Sequence, residues 1–272
     1  MSKRSPNRRP DVIERAHQAI DHGDLRAARR LLAKVKQPSV ESEYARWRAA
    51  FAAQDPTPAL GVAREAVLAF PESADLQHAL GRTLMELTRY EDALPALEEA
   101  CYLDEDFADA WYDLALVRSE LGDTAGMRAA FTEVYELDCA EPVPPTLFSA
   151  ERVQGWAQRA FDMLPEDIQA RVADVPVFIA EYPEPWILED APWDPRLLGL
   201  FDGPTWAELR SSDLAGGGAF GSAPHVYLYQ RNLERIAPDP RDMAREVRVT
   251  VHHELGHFLG LDEHDLHERG LA

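Results

Sequence analysis

The chain has 272 residues, 46% hydrophobic and 28% charged, with a formal net charge of −20. That length is enough for two domains with separate cores, and the acidic balance argues against a nucleic-acid partner, whose backbone calls for a basic footprint. No run approaches the roughly 18 apolar residues of a membrane span, and the opening Lys3-Arg4-Ser5-Pro6-Asn7-Arg8-Arg9-Pro10 lacks the apolar stretch of a secretory signal.

Charge is unevenly spread, with 12 Lys or Arg against 6 Asp or Glu in residues 1–50. This basic start (Lys3, Arg4, Arg8, Arg9, then Arg26, Arg29 and Arg30) reads as a solvated tail and a first helix pair; the competing reading is contact with an anionic partner. Cys101 and Cys139 form no spaced metal pair. Both are expected as buried apolar residues in a reducing cytoplasm.

Residues 8–141 read as repeats. Ala59, Ala63, Ala66 and Pro71 are followed by Ala93, Leu97, Ala100 and Glu105, then by Met127, Phe131, Val134 and Cys139, at a step of 34 residues. A weaker copy, Ala27, Leu31 and Lys34, lies 32 residues upstream. Leu80-Gly81 and Leu84 in one unit correspond to Leu114-Ala115 and Arg118 in the next, with Trp111 three positions before Leu114. The pattern resembles the tetratricopeptide repeat family, whose helix–turn–helix units place small residues where helices cross closely. The resemblance implies an all-α solenoid of about four units, a right-handed superhelix whose concave surface holds a protein or peptide.

The pattern changes at Glu141-Pro142-Val143-Pro144-Pro145, where prolines stop helices and stiffen the connection. A linker is placed at 142–148 and a second domain at 149–272. Ser149 is an N-cap before an amphipathic helix carrying Val153, Trp156, Ala157, Ala160, Phe161 and Leu164. A short helix after Pro165 leads to a strand over Val175–Ala180. In the proline-rich stretch 181–195, Trp186 and Trp193 either pave a substrate groove or cover the sheet. Residues 197–201 read as a second strand turned by Asp202-Gly203-Pro204. Gly216, Gly217 and Gly218 form a loop without the Gly-Lys-Ser/Thr of a phosphate cradle. Val226–Tyr229 is the third strand, expected at the sheet edge, where it would align an extended substrate. Tyr227 and Tyr229 are candidate oxyanion donors or core residues.

Asp239-Pro240 then opens a helix running from Arg241 to about Leu259. Met243, Val247, Val251 and Leu255 recur every four residues and form its core face. His253, Glu254 and His257 spell His-Glu-x-x-His on another face, followed by Gly260 and the carboxylates Asp262 and Glu263. Residues four apart on a helix are offset by only about 40°, so the two imidazoles point the same way and can share one Zn²⁺. Glu254, on the adjacent flank, is placed to act as general base. Gly260 permits a reversal that returns Glu263 as a third, oxygen ligand. No cysteine stands near to close a four-ligand structural site. His252, about 100° around the helix from His253, reads as a supporting or surface residue.

From about Phe148 onward the chain resembles the minimal zincin-like metallopeptidases, a small bacterial family with a matrix-metalloprotease-like core. The resemblance rests on the opening helix ending at Leu164-Pro165, the strand Val175–Ala180, the segment Leu198-Gly199-Leu200-Phe201-Asp202-Gly203, Val226–Tyr229, and His253–Asp265. It implies an α+β domain with a small sheet and a metal-binding helix, with zinc on His253, His257 and Glu263 and with Glu254 as catalytic base. Asp262, His264 and Asp265 crowd the third-ligand position and remain alternatives. No methionine follows Met243, so the methionine turn of the larger clan is missing. The expected function is a zinc-dependent peptidase whose repeats recruit a protein or peptide. The alternative is an interaction protein whose zincin module binds zinc with little turnover.

Overall fold

The structure, a computed structural model, describes residues 11–53, 55–140, 144–185, 194–215 and 223–268. The basic residues at positions 3–9, Trp186, Trp193 and Gly216, Gly217 and Gly218 lie outside the described residues. The chain divides into two compact units, Met1–Asp138 and Cys139–Ala272.

The first unit is helical, and its helices pack in consecutive pairs. These are α1 (Val12–Asp21) with α2 (Leu25–Leu32), α3 (Val40–Phe51) with α4 (Thr57–Ala69), α5 (Ala74–Glu86) with α6 (Tyr90–Leu103), and α7 (Ala108–Glu120) with α8 (Thr124–Asp138). Asp11, Asp24, Ser39 and Ser73 start α1, α2, α3 and α5 by accepting first-turn N–H groups. Alanines recur at the crossings: Ala59, Ala63, Ala66, Ala93, Ala100 and Ala115 are all buried. Gly81 marks a close crossing of α5 and α6, since an added β-carbon would stand 2.5 Å from Leu97 Cγ.

The turns obey the same 34-residue step. In the α7–α8 turn Gly122 N–H donates to Ser119 O and Asp123 N–H to Arg118 O. In the α5–α6 turn Thr88 N–H donates to Met85 O and Arg89 N–H to Leu84 O. Gly122 takes φ +76°, and Thr88, a β-branched residue, is held in the same left-handed region at φ 52°. A buried polar link joins α5 to α7: His78 Nε2 lies 2.7 Å from Asp113 Oδ2, and Arg82 Nε lies 3.3 Å from the same oxygen. Cys101 is buried as expected, whereas Cys139 is only half-buried.

The second unit contains a three-stranded sheet in the order β1-β3-β2, with β1 (Val177–Ala180), β2 (Gly199–Asp202) and β3 (His225–Tyr229). β1 runs parallel to β3 and β2 antiparallel to it. The Val226–Tyr229 strand is therefore central, not an edge: its backbone groups serve both neighbours. Among the described residues the edges are β1 and β2. Around the sheet lie α9 (Ala150–Asp162), α10 (Glu166–Val172), α11 (Trp206–Ala215), α12 (Gln230–Ile236), α13 (Pro240–Phe258) and α14 (Glu263–Glu268).

α9 and α13 pack against each other and against the sheet. Their core joins Val153, Trp156, Ala157 and Ala160 to Val226, Leu228, Met243, Val247, Val251, Leu255 and Phe258. The start of this unit is fastened by a buried carboxylate. Leu147 and Phe148 N–H donate to the two oxygens of Glu234 at 3.1 Å each, and Gln230 Nε2 donates to both Phe148 O and Glu234 Oε1 at 2.7 Å. Asn232 does similar work for the approach to β2, donating to Pro195 O and Leu197 O.

Candidate metal centre

The site is built on α13. Asp239 accepts from Arg241 N–H, and Pro240 opens the first turn, where its missing N–H costs nothing. The four-residue stripe Met243, Val247, Val251 and Leu255 is buried. Packing of that stripe turns His253 and His257 to a half-exposed flank. The helix ends in a Schellman arrangement: Gly260 N–H donates to His257 O, Leu261 N–H donates to Gly256 O, and Gly260 takes φ +87°. That reversal starts α14, where Asp262 and Asp265 cap each other, Asp265 N–H donating to Asp262 Oδ1 at 2.9 Å.

Among the described residues, His253, His257 and Glu263 each offer a ligand atom, all within 4.8 Å of one another. The separations are 3.1 Å between the two Nε2 atoms, 3.3 Å from His257 Nε2 to Glu263 Oε1, and 3.7 Å from His253 Nε2 to that oxygen. Ligands about 2.0–2.1 Å from a tetrahedral zinc stand roughly 3.3–3.4 Å apart, so the three atoms span one face of such a site. The donor set fits as well. His257 Nδ1 lies 3.1 Å from Leu261 O, which can only accept, so Nδ1 carries a proton and Nε2 is the ring atom turned to His253 and Glu263.

The alternative third ligands are differently placed. Asp262 and Asp265 are engaged with one another, and His264 Nε2 pairs with Glu268 at 3.5 Å on an exposed flank. His252 Nε2 lies 2.8 Å from Ala160 O, tying α13 to α9. Glu254 is buried, and its Oε2 accepts from Phe201 N–H of β2 at 2.8 Å. Burial pushes its carboxyl up to about 7, against the opposing pull of His253 and the Phe201 N–H.

Val226 and Leu228 face the core that α13 shares. Strand alternation therefore puts Tyr227 and Tyr229 on the opposite sheet face, stacked 6.2 Å apart, with Glu254 still among the charges felt by Tyr229. Burial raises the Tyr229 phenol, whose hydroxyl has no hydrogen-bond partner among the described residues. Two features beside the site were not anticipated from sequence. The Phe201 N–H has no residue-type signal at all. Gly256 carried one, as a glycine inside a helix, where it costs stability unless space demands it. An added β-carbon at Gly199 would meet Thr250 Cγ2 at 2.6 Å and Glu254 Cγ at 3.1 Å, so β2 approaches α13 closely at this point.

A small mixed sheet is thus backed by a helix that brings two histidines and a carboxylate together. Residues 172–271 match the family model for zincin-like metallopeptidases, and residues 74–107 and 108–138 match that for the tetratricopeptide repeat. The chain thus carries tetratricopeptide repeats followed by a zincin-like metallopeptidase domain. The repeat match covers the α5–α6 and α7–α8 pairs. No curated protein matches the chain. Solved structures similar to it include MamA, at 21% identity over 53% of this chain and 80% of that one, with a TM-score of 0.41. Another is a thermophilic tetratricopeptide repeat protein of Thermus thermophilus, at 19% identity over 48% and 74%, with a TM-score of 0.42. A third is YrrB, described as a tetratricopeptide repeat protein with an unusual peptide-binding site, at 22% identity over 47% and 67%, with a TM-score of 0.41. Among the described residues no helix is long and apolar enough to cross a membrane.

Proposed function

We propose that the second unit is a zinc-dependent metallopeptidase and that the helical repeats recruit its protein or peptide substrate or a protein partner. The observation that carries this is the convergence of His253 Nε2, His257 Nε2 and Glu263 Oε1 at the spacing of one tetrahedral face, with Glu254 buried alongside. Three protein ligands leave a fourth position for chemistry, whereas structural zinc closes with four, often cysteines. The domain limits we propose are 8–141 for the repeats, 142–148 for the linker and 149–272 for the peptidase. The buried Cys101 thiol suits a reducing, cytoplasmic setting.

Zinc held by His253, His257 and Glu263 supplies Lewis acidity toward a peptide carbonyl and toward water. Glu254 is the general base. Its carboxylate takes a proton from water as the oxygen attacks the carbonyl carbon, and delivers it to the amine nitrogen as the C–N bond breaks. The Phe201 N–H occupies Oε2, which leaves Oε1 for that transfer. Leu261 O fixes the ring orientation of His257.

The test is a degenerate peptide library offered to the zinc-loaded chain and to Glu254→Gln. Cleavage by the wild type, loss of at least about 100-fold in the variant and about one zinc per chain in both are expected. Zinc in both proteins with cleavage by neither would overturn the enzyme and favour a repeat-based interaction protein.

A further inference from the structure

Gly256 lies between the two histidines of the motif, contributes no ligand atom, and is nevertheless crowded. A β-carbon added there would stand 2.4 Å from Leu266 Cδ2 and 3.6 Å from Leu261 Cδ1. Leu266 is fully buried, the one buried residue of α14. α14 has six residues, far too few to be stable by itself. What holds it are the Gly260 reversal, the Asp262–Asp265 cap and the seating of Leu266 on α13.

Glu263 is three residues before Leu266, on the same turn of α14, so the two move together. The Glu263 side chain is 73% exposed, and its charged partners among the described residues are His253 and His257. We infer that Gly256 is a positioning residue: its missing β-carbon seats Leu266 against α13, and that seat places Glu263 beside His253 and His257. The inference rests on the reading of those three side chains as zinc ligands. A methyl at Gly256 requires Leu266 to retreat by roughly 1–1.5 Å to reach ordinary contact distance. Leu266 is fully buried, so its Cδ2 has no solvent to swing into, and the displacement is expected to pass to α14. Zinc–ligand distances lie within about ±0.2 Å of their ideal values, so a shift of α14 larger than that is expected to weaken ligation by Glu263 while the helix stays docked.

The experiment measures zinc affinity of the full-length chain by competition with a chromophoric chelator. Gly256→Ala is expected to weaken zinc about 10- to 100-fold with an unchanged far-UV circular dichroism spectrum. Leu266→Val, which removes the clashing Cδ2, is expected to restore most of that loss when combined with Gly256→Ala. Such rescue would not follow from general damage to the helix. Glu263→Ala serves as the reference and is expected to weaken zinc at least as much. Wild-type affinity in Gly256→Ala with weakened affinity in Glu263→Ala overturns the seat and leaves the ligand set intact. Wild-type affinity in Glu263→Ala overturns the ligand reading itself. A Gly256→Ala loss that Leu266→Val does not rescue overturns the seat as its cause. Should Gly256→Ala not fold, Leu266→Ala opens a cavity in place of a clash: a folded variant with weakened zinc supports the inference, and one with unchanged zinc overturns it.

Discussion

The backbone N–H of Phe201 donates to Glu254 Oε2 at 2.8 Å, joining the edge strand β2 to the middle of the zinc-motif helix. In the antiparallel β2–β3 pairing Tyr229 N–H donates to Leu198 O, so ladder bonds recur at Leu200 and Asp202 while Gly199 and Phe201 turn their backbone groups to the free edge. The Phe201 donor is thus available to Glu254 at no cost to the sheet.

Proline at this position removes that donor and nothing from the ladder. Phe201→Pro and Phe201→Ala both lose the ring contact with Phe258, 5.8 Å between centroids, but only the former loses the N–H. With zinc occupancy equal in the two, kcat for peptide cleavage is expected to be about 10- to 100-fold lower in Phe201→Pro, the value of a hydrogen bond to a charged group. Equal kcat in the two variants would show that the bond does not orient the base.

His252 and His257 are neighbours in sequence with opposite expected phenotypes. His257→Ala should abolish stoichiometric zinc in metal analysis of the purified chain. His252→Ala removes the bond to Ala160 O and should lower the urea-unfolding free energy of the second unit by about 0.5–1.5 kcal/mol, with zinc content unchanged. Zinc lost from His252→Ala alone would reverse their roles.

In the repeats, two substitutions that exchange glycine with a larger residue should act in opposite directions. Gly81→Ala drives a methyl into Leu97 Cγ and should destabilise the first unit by about 1–3 kcal/mol. Thr88→Gly relieves a β-branched residue at φ 52° and should stabilise it by about 0.5–1 kcal/mol. Chemical denaturation midpoints of the first unit would move down and up respectively; a shift of Thr88→Gly in the destabilising direction would mean that its hydroxyl bond to Leu87 O outweighs the strain.

Burial pushes the Cys101 thiol up to about 12. At pH 8.5, where an unperturbed thiol is about half ionised, almost no Cys101 thiolate is present in the folded chain. Alkylation by iodoacetamide at that pH should be at least about 100-fold slower in the folded protein than in urea. The folded pKa is raised above the unfolded one, so the stability this group contributes is complete below about pH 8.5 and is lost as pH climbs toward 12. Cys101→Ala should correspondingly flatten the alkaline limb of the first unit's stability profile.

Much of this architecture was legible in the order of residues because the features concerned are local or periodic. Ser149 and Asp239-Pro240 cap the helices they were expected to cap, and the 34-residue step reappears in the turn bonds of Thr88 and Gly122. The central place of β3 was not legible: a strand's alternation specifies its faces and says nothing about how many neighbours it has. Helix α12 escaped because it begins directly after β3 without an apolar stripe of its own. Its Glu234 works through Leu147 and Phe148, partners more than 80 residues away in sequence. The engagement of Asp262 with Asp265 is encoded locally, as an acceptor at an N-cap with a second three residues on, but the same carboxylates also suit metal ligation, so residue type alone does not separate the two roles.

Because the three converging side chains fall within residues 253–263, bringing them together closes only a short loop. Loop closure of that length carries little entropy, and α14 docks through one leucine. The α9–α13 core, by contrast, joins segments at least 78 residues apart (162 to 240), and the sheet joins β1 to β3 across 49 (177 to 226). Assembly of the metal centre is thereby separable in time from folding of the body that carries it. The body can be complete while α14 still exchanges between seated and released positions, and capture of a metal would then close the last and least costly step.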